Sequence, residues 1–94
     1  MQKLIDAFNS LNIEGMPTLT KLYGHKGDFV NLECELPNGK IAKILDDSKM
    51  YYVAELPKEN SDRCFGLVTD KKQLAVFEYS CGGADSKLII WKRL

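Results

Sequence analysis

The first twelve residues carry apolar side chains at helical spacing. One stripe of a helix would hold four of them: Leu4, Ile5, Phe8 and Leu11. Polar residues fall mainly on the other side, and a glycine and a proline follow closely. The pattern predicts a helix over residues 2–12. Three turns are marginal in water by themselves, so this helix is expected to pack against the rest of the chain.

Further along the chain the spacing changes to two. Residues 28–36 alternate apolar and polar side chains, and a Pro-Asn-Gly turn sequence follows them. A two-residue loop would set Lys43 opposite Cys34 on the apolar face. A three-residue loop instead pairs Cys34 with Ala42 and places Glu33 beside Lys43 on the solvent-exposed face. We therefore predict the three-residue loop, with proline at the first corner and glycine in the left-handed position.

Five further segments have strand character. They are residues 18–23, residues 50–56, residues 64–69 and 73–80 as a hairpin, and residues 87–93. The chain offers no second helix for the crossovers of a parallel sheet. The sequence therefore predicts an α+β fold that is mainly β. An N-terminal helix precedes a curled antiparallel sheet or small barrel of six or seven short strands, and it packs across one face or one open end.

Size and charge narrow the class of protein. The chain has 94 residues, of which 45% are hydrophobic and 28% charged, which predicts a single globular domain over 1–94. Thirteen basic and thirteen acidic residues cancel, and only two of the basic ones are arginine. The balance is −2 for residues 1–47 and +2 for residues 48–94. A neutral chain lacks the strong basic field that drives nucleic-acid binding, so that class is disfavoured.

The N-terminal sequence and the number of cysteines indicate the cellular compartment of the protein. The N-terminus has no long apolar region of a signal peptide, and no stretch reaches the length of a membrane span. Three cysteines are an odd number, whereas secreted disulfide frameworks normally use an even one. We expect a soluble cytoplasmic protein with reduced thiols and no membrane association.

The residues capable of chemistry lie far apart in sequence. Cys34, Cys64 and Cys81 are separated by 30 and 17 residues, unlike the close pairs of thiolate zinc sites. His25 is the single histidine and stands in a sequence typical of a polar turn. Nucleophile elbows, phosphate-binding loops and calcium loops are absent from the sequence. We predict no catalytic residue, no metal and no cofactor, and hence no enzyme.

Two segments carry more apolar side chains than one short helix can cover. Tyr51 and Tyr52 are adjacent on a strand, so they must point to opposite faces. On the last strand, strict alternation places Ile89 and Trp91 on one face and Leu88 and Ile90 on the other. Apolar surface left over on a small domain is typical of an interface. The predicted binding residues are Tyr51, Tyr52, Ile89, Trp91 and Arg93.

Three functions are compatible with these patterns. The leading hypothesis is a non-enzymatic interaction module that binds a protein partner or forms a homodimer. One alternative is a small-molecule binder in which Tyr51, Tyr52 and Trp91 stack on the ligand. The other alternative is a single-stranded nucleic-acid binder in which Lys92 and Arg93 join the two tyrosines.

Overall fold

The computed structural model describes residues 1–26, 33–35, 41–43, 50–80 and 85–94, with side chains in 1–24, 51–80 and 85–94. Within these residues, one helix and seven strands follow one another. They are α1 (Gln2–Asn9), β1 (Tyr23–Lys26), β2 (Glu33–Glu35), β3 (Ile41–Lys43), β4 (Met50–Pro57), β5 (Arg63–Thr69), β6 (Gln73–Ser80) and β7 (Lys87–Arg93).

The helix is shorter than its apolar stripe. α1 ends at Asn9 because the Leu11 amide donates to the Phe8 carbonyl in a tighter turn, and Asn12 then has a left-handed φ of 54°. The prediction of a helix to residue 12 is therefore wrong at its C-terminal end. The prediction that the apolar stripe packs against the rest of the chain is confirmed, since Leu4, Ile5 and Phe8 are buried.

The segment after α1 runs back along the helix without pairing as a strand. The Asn9 side chain bonds both backbone groups of Leu19, as a neighbouring strand would. Its Nδ2 donates to the Leu19 carbonyl at 3.0 Å, and its Oδ1 accepts from the Leu19 amide at 2.8 Å. A strand over residues 18–23 was predicted, and this is wrong because β1 begins only at Tyr23. His25, which was predicted in a turn, lies in β1 opposite Tyr51.

Five strands form one antiparallel sheet in the order β1-β4-β5-β6-β7. The predicted hairpin is confirmed, since β5 pairs with β6 across residues 70–72 and the Asp70 amide donates to the Gln73 carbonyl. Among the described residues the sheet is open, with β1 at one edge and β7 at the other. A closed barrel, or one sheet of six or seven strands, is not confirmed.

A separate two-stranded ribbon contains β2 and β3. Cys34 pairs with Ala42 and Glu33 with Lys43, which confirms the predicted register. The turn itself and the outer parts of the predicted strand over residues 28–36 lie outside the described residues. The sequence Cys-Gly-Gly-Ala-Asp also predicts a turn over residues 81–85, of which residues 81–84 lie outside the described residues.

The helix covers one face of the five-stranded sheet, in agreement with the prediction. Phe8 (0% exposed) packs with Leu19 and Leu22 of the connecting segment on side chains of the central strands: Ala54, Phe65, Leu67, Leu74 and Val76. Burial of each large side chain contributes about 1.5–3 kcal/mol. The packing fixes α1 on this face, which we call the helix face.

The opposite face has its own buried cluster: Tyr51, Val68, Ala75 and Phe77. Tyr52 packs on the helix face, so the two adjacent tyrosines point to opposite faces as predicted. On this second face Gly66 lies under the ring of Tyr79. We call it the Tyr51 face.

Candidate interaction edge

The outer edge of β7 is one of the two open edges of the sheet that the structure describes, the other being that of β1. Strand β7 is the last in the order, and among the described residues only β6 pairs with it. Its side chains are exposed or half-buried along its whole length. Ile89 is 38% exposed, and Leu94, just beyond the strand, is 51% exposed.

A β-bulge sets the direction of the β7 side chains. Val76 pairs with Ile90 and the next residue, Phe77, with Leu88, so Ile89 is the extra residue. Leu88 and Trp91 consequently pack together on the Tyr51 face, and Ile90 packs on the helix face. The prediction that Ile89 and Trp91 share one face, with Leu88 and Ile90 on the other, is wrong for this reason.

The hydrogen-bond pattern identifies which β7 backbone groups point away from the sheet. The Leu94 amide donates to the Lys72 carbonyl at 2.9 Å. In an antiparallel pair alternate residues turn both backbone groups to the same neighbour, so Lys92 and Ile90 also face β6. Trp91 and Arg93 therefore direct their N–H and C=O groups to the outer edge.

The predicted binding residues fall into three places. Ile89, Trp91 and Arg93 come together on β7, with the Arg93 guanidinium carbon 5.9 Å from the centroid of the Trp91 ring. Trp91 is half-buried and donates from Nε1 to Gln73 Oε1 at 3.1 Å. Tyr51 is only 2% exposed on the same face, so its ring is not available for stacking on a ligand. Tyr52 lies on the opposite face, under Lys71 at 5.6 Å.

Four exposed cations lie at the end of the sheet where β7 finishes: Lys71, Lys72, Lys92 and Arg93. We call this group the basic end. The β5–β6 turn supplies two of the cations, and register brings it beside the end of β7. Asp70, the carboxylate of the same turn, accepts the amides of Lys72 and Gln73 through Oδ1. None of the four cations forms an ion pair with a described carboxylate.

The other end of the same strands carries a compact ion cluster. Glu78, 4% exposed, accepts from Lys58 Nζ and Arg63 Nε at 2.9 Å each, and Lys87 Nζ lies 3.6 Å from its second oxygen. Arg63 also donates to Asp85 at 2.6 Å. Here three cations share two carboxylates in ion pairs, whereas the cations of the basic end have no paired carboxylate among the described residues.

The cluster lowers the pKa of both carboxyl groups. Donation by Lys58 and then by Arg63 lowers the pKa of Glu78 below its ordinary 4.5, against the opposing effect of burial. Arg63 and then the Ser80 amide hold the pKa of Asp85 well below its usual range. Protonation of either group would release its bonds to the cations.

We expect this cluster to make the protein less stable in acid. Because both pKa values are lower in the folded than in the unfolded chain, their contribution to stability is complete above the ordinary values of 4.5 and 3.8. It is lost as the pH falls through the folded-state values. Denaturant unfolding from neutral pH into acid should show this decline, and Glu78→Gln should flatten it.

Glu59→Gln is the matched control. Glu59 is exposed and follows Lys58 directly in the loop between β4 and β5, but it forms none of the cluster's ion pairs. Its pH profile should follow that of the unchanged chain. A profile for Glu78→Gln as steep as that of the unchanged chain would show that the cluster does not set the acid sensitivity.

A shallow groove of about 340 Å³ is the structural counterpart of the small-molecule hypothesis. It lies where α1 meets the following segment and is lined by Asn9, Asn12, Ile13, Met16, Pro17 and Thr18. The aromatic residues predicted to stack on a ligand are elsewhere. The structure therefore does not join this groove to Tyr51, Tyr52 or Trp91.

The predicted reactive groups are only partly described. Cys64 lies in β5 and is half-buried, whereas the side chains of Cys34, Cys81 and His25 lie outside the described ones. No group of three or more His, Cys, Asp or Glu side chains that could hold a metal ion occurs among the described residues. In the same part of the chain no helix is long and apolar enough to cross a membrane.

Comparison with family models, curated proteins and solved structures gave no match to this chain. Sequence reasoning missed Lys71 and Lys72, although the predicted β5–β6 hairpin places them in its turn. The signal was the register: pairing of β7 with β6 brings that turn beside Lys92 and Arg93.

Proposed function

We propose that this chain is a non-enzymatic interaction module that binds an extended segment of a partner protein along the outer edge of β7. The observation that carries the proposal is the outward direction of the Trp91 and Arg93 backbone groups on an edge strand. Strand addition satisfies such groups with main-chain hydrogen bonds, and adjacent side chains supply specificity.

The apolar centre of β7 supports this function. Ile89 is exposed at the bulge and stands between the half-buried side chains of Leu88 and Ile90. A partner strand laid along β7 would cover these side chains and remove their apolar surface from water. The bulge and the terminal cations oppose unselective pairing of an exposed edge. Pairing is thus restricted to a strand of suitable sequence.

The charge of β7 favours a partner of different sequence over a second copy. Lys87, Lys92 and Arg93 give the strand three cations and no carboxylate. Two antiparallel copies of β7 would bring the same three cations of each copy into one ribbon. Like charges on neighbouring strands are destabilising, so self-association through this edge is disfavoured.

Selection from a random peptide library displayed on phage tests the function and requires no candidate partner. We expect extended peptides to be recovered by the full chain and to lose affinity about tenfold or more for Arg93→Pro. Proline removes the outward N–H of residue 93, and the ladder between β6 and β7 keeps its own bonds. Arg93→Ala retains that N–H and is the matched control for loss of the side chain.

Two results would contradict the proposal. One is a selection that yields no peptide specific for the folded chain. The other is a set of peptides that bind Arg93→Pro as tightly as Arg93→Ala, because binding would then not use the outer backbone of β7.

A further inference from the structure

The charges around β7 differ between its two ends. At the Lys87 end, Glu78 already lies 3.6 Å from the lysine and also holds Lys58 and Arg63. At the other end, Lys92 and Arg93 are exposed, and no described carboxylate is paired with them. The positive potential beside the edge is therefore concentrated at one end of the proposed binding strand.

The carboxylate nearest in sequence to the basic end is engaged locally. Asp70 Oδ1 accepts the amides of Lys72 and Gln73 at 2.9 and 3.0 Å, and Oδ2 lies 3.5 Å from Gln73 Nε2. Lys71 lies over the ring of Tyr52 in β4, three strands from β7 in the sheet, whereas the Arg93 guanidinium lies over the Trp91 ring of β7 itself. Lys72, Lys92 and Arg93 are therefore the cations closest to the end of β7, and none of them is paired with a carboxylate of the described residues.

We infer that the strand bound by β7 is acidic at the end that lies beside Lys72, Lys92 and Arg93, and apolar over the centre of β7. This inference rests on the proposed function and adds the chemistry of the partner. Every strand pair that the structure describes is antiparallel. An antiparallel partner therefore carries its carboxylates toward its own N-terminus and its β-branched apolar residues after them.

Direction of binding separates this arrangement from simple charge attraction. A peptide with acidic residues first and valines and threonines after them matches β7 in antiparallel pairing. The same peptide written in reverse has equal composition and net charge, but its carboxylates would lie beside the Glu78 cluster. Acetylated and amidated ends keep terminal charges out of the comparison.

The experiment measures the affinity of the full chain for three synthetic peptides: the acidic-first peptide, its reverse, and a version with glutamine in place of every carboxylate. We expect the acidic-first peptide to bind several-fold to roughly tenfold more tightly than the other two at low salt. The difference should shrink as salt is added, since added ions screen exposed charges.

Charge reversal at the protein completes the test. The exposed side chains of Lys92 and Arg93 allow Lys92→Glu and Arg93→Glu to be combined without disturbing the core. This double variant should lose its preference for the acidic-first peptide. Charge reversal at Lys3, an exposed lysine of α1, is the matched control and should leave the preference unchanged.

The outcomes distinguish failure of this inference from failure of the proposed function. Equal binding of all three peptides, each weakened by Arg93→Pro, would overturn the acidic partner and leave strand addition standing. Failure of all three peptides to bind would overturn the inference. The selection from the phage library would then remain the separate test of strand addition at β7. A single-stranded oligonucleotide that bound the basic end, unaffected by Arg93→Pro, would overturn it by assigning these cations to nucleic acid.

Discussion

Replacing Phe8 by alanine should lower the free energy of unfolding by about 3–5 kcal/mol. Phe8 is fully buried and lies where α1 meets the connecting segment and the helix face of the sheet. Removal of the Phe8 ring would leave a cavity in the core, and the surrounding side chains can relax into that cavity only in part. Small domains have about 5–15 kcal/mol of stability in total, so this one change removes a large share.

Denaturant unfolding monitored by circular dichroism measures this loss. Lys3→Ala is the matched control on the exposed side of the same helix and should change the stability by less than about 0.5 kcal/mol. A loss below about 1 kcal/mol for Phe8→Ala would mean that α1 does not anchor the helix face.

Replacing Gly66 by alanine should destabilise the chain by about 1–3 kcal/mol, although alanine usually improves a strand. A Cβ at this position would lie 2.9 Å from Cε1 of Tyr79. The Tyr79 ring cannot move aside freely because its hydroxyl donates to Glu55 across the sheet. The added methyl group is therefore in steric conflict with a restrained ring.

A double-mutant cycle tests that explanation. In a Tyr79→Ala background the steric conflict is absent, so Gly66→Ala should become neutral or stabilising. Equal destabilisation by Gly66→Ala with and without the Tyr79 ring would contradict the steric explanation. The cause would then lie in the backbone of β5.

Elements with regular spacing and a clear boundary could be predicted from the sequence. The β5–β6 hairpin, β7 and the register of β2 with β3 are correct because turn residues and alternation agree there. The predicted helix continued past Asn9 because Leu11 extends the apolar stripe. Periodicity reports which side chains are buried, and it does not report where the hydrogen bonds of a helix stop.

The interaction edge was only partly predictable, for two physical reasons. The bulge at Ile89 adds one residue to β7, and no local residue pattern marks it, so strict alternation assigned the faces incorrectly. The basic end depends on contacts between residues about twenty positions apart, which only the strand register brings together. Ile89, Trp91 and Arg93 were predicted from the apolar pattern of the last strand, whereas the role of their backbone requires the strand order.

Hydrogen exchange of the β7 amides in the full chain tests the open outer edge most directly, because it requires no partner. We predict fast exchange of the outward amides of Trp91 and Arg93, and slow exchange of Ile90 and Lys92, which bond to β6. A bound peptide should then slow Trp91 and Arg93. If these two amides exchange as slowly as Ile90 and Lys92 in the free chain, the edge is already covered and strand addition at β7 is contradicted.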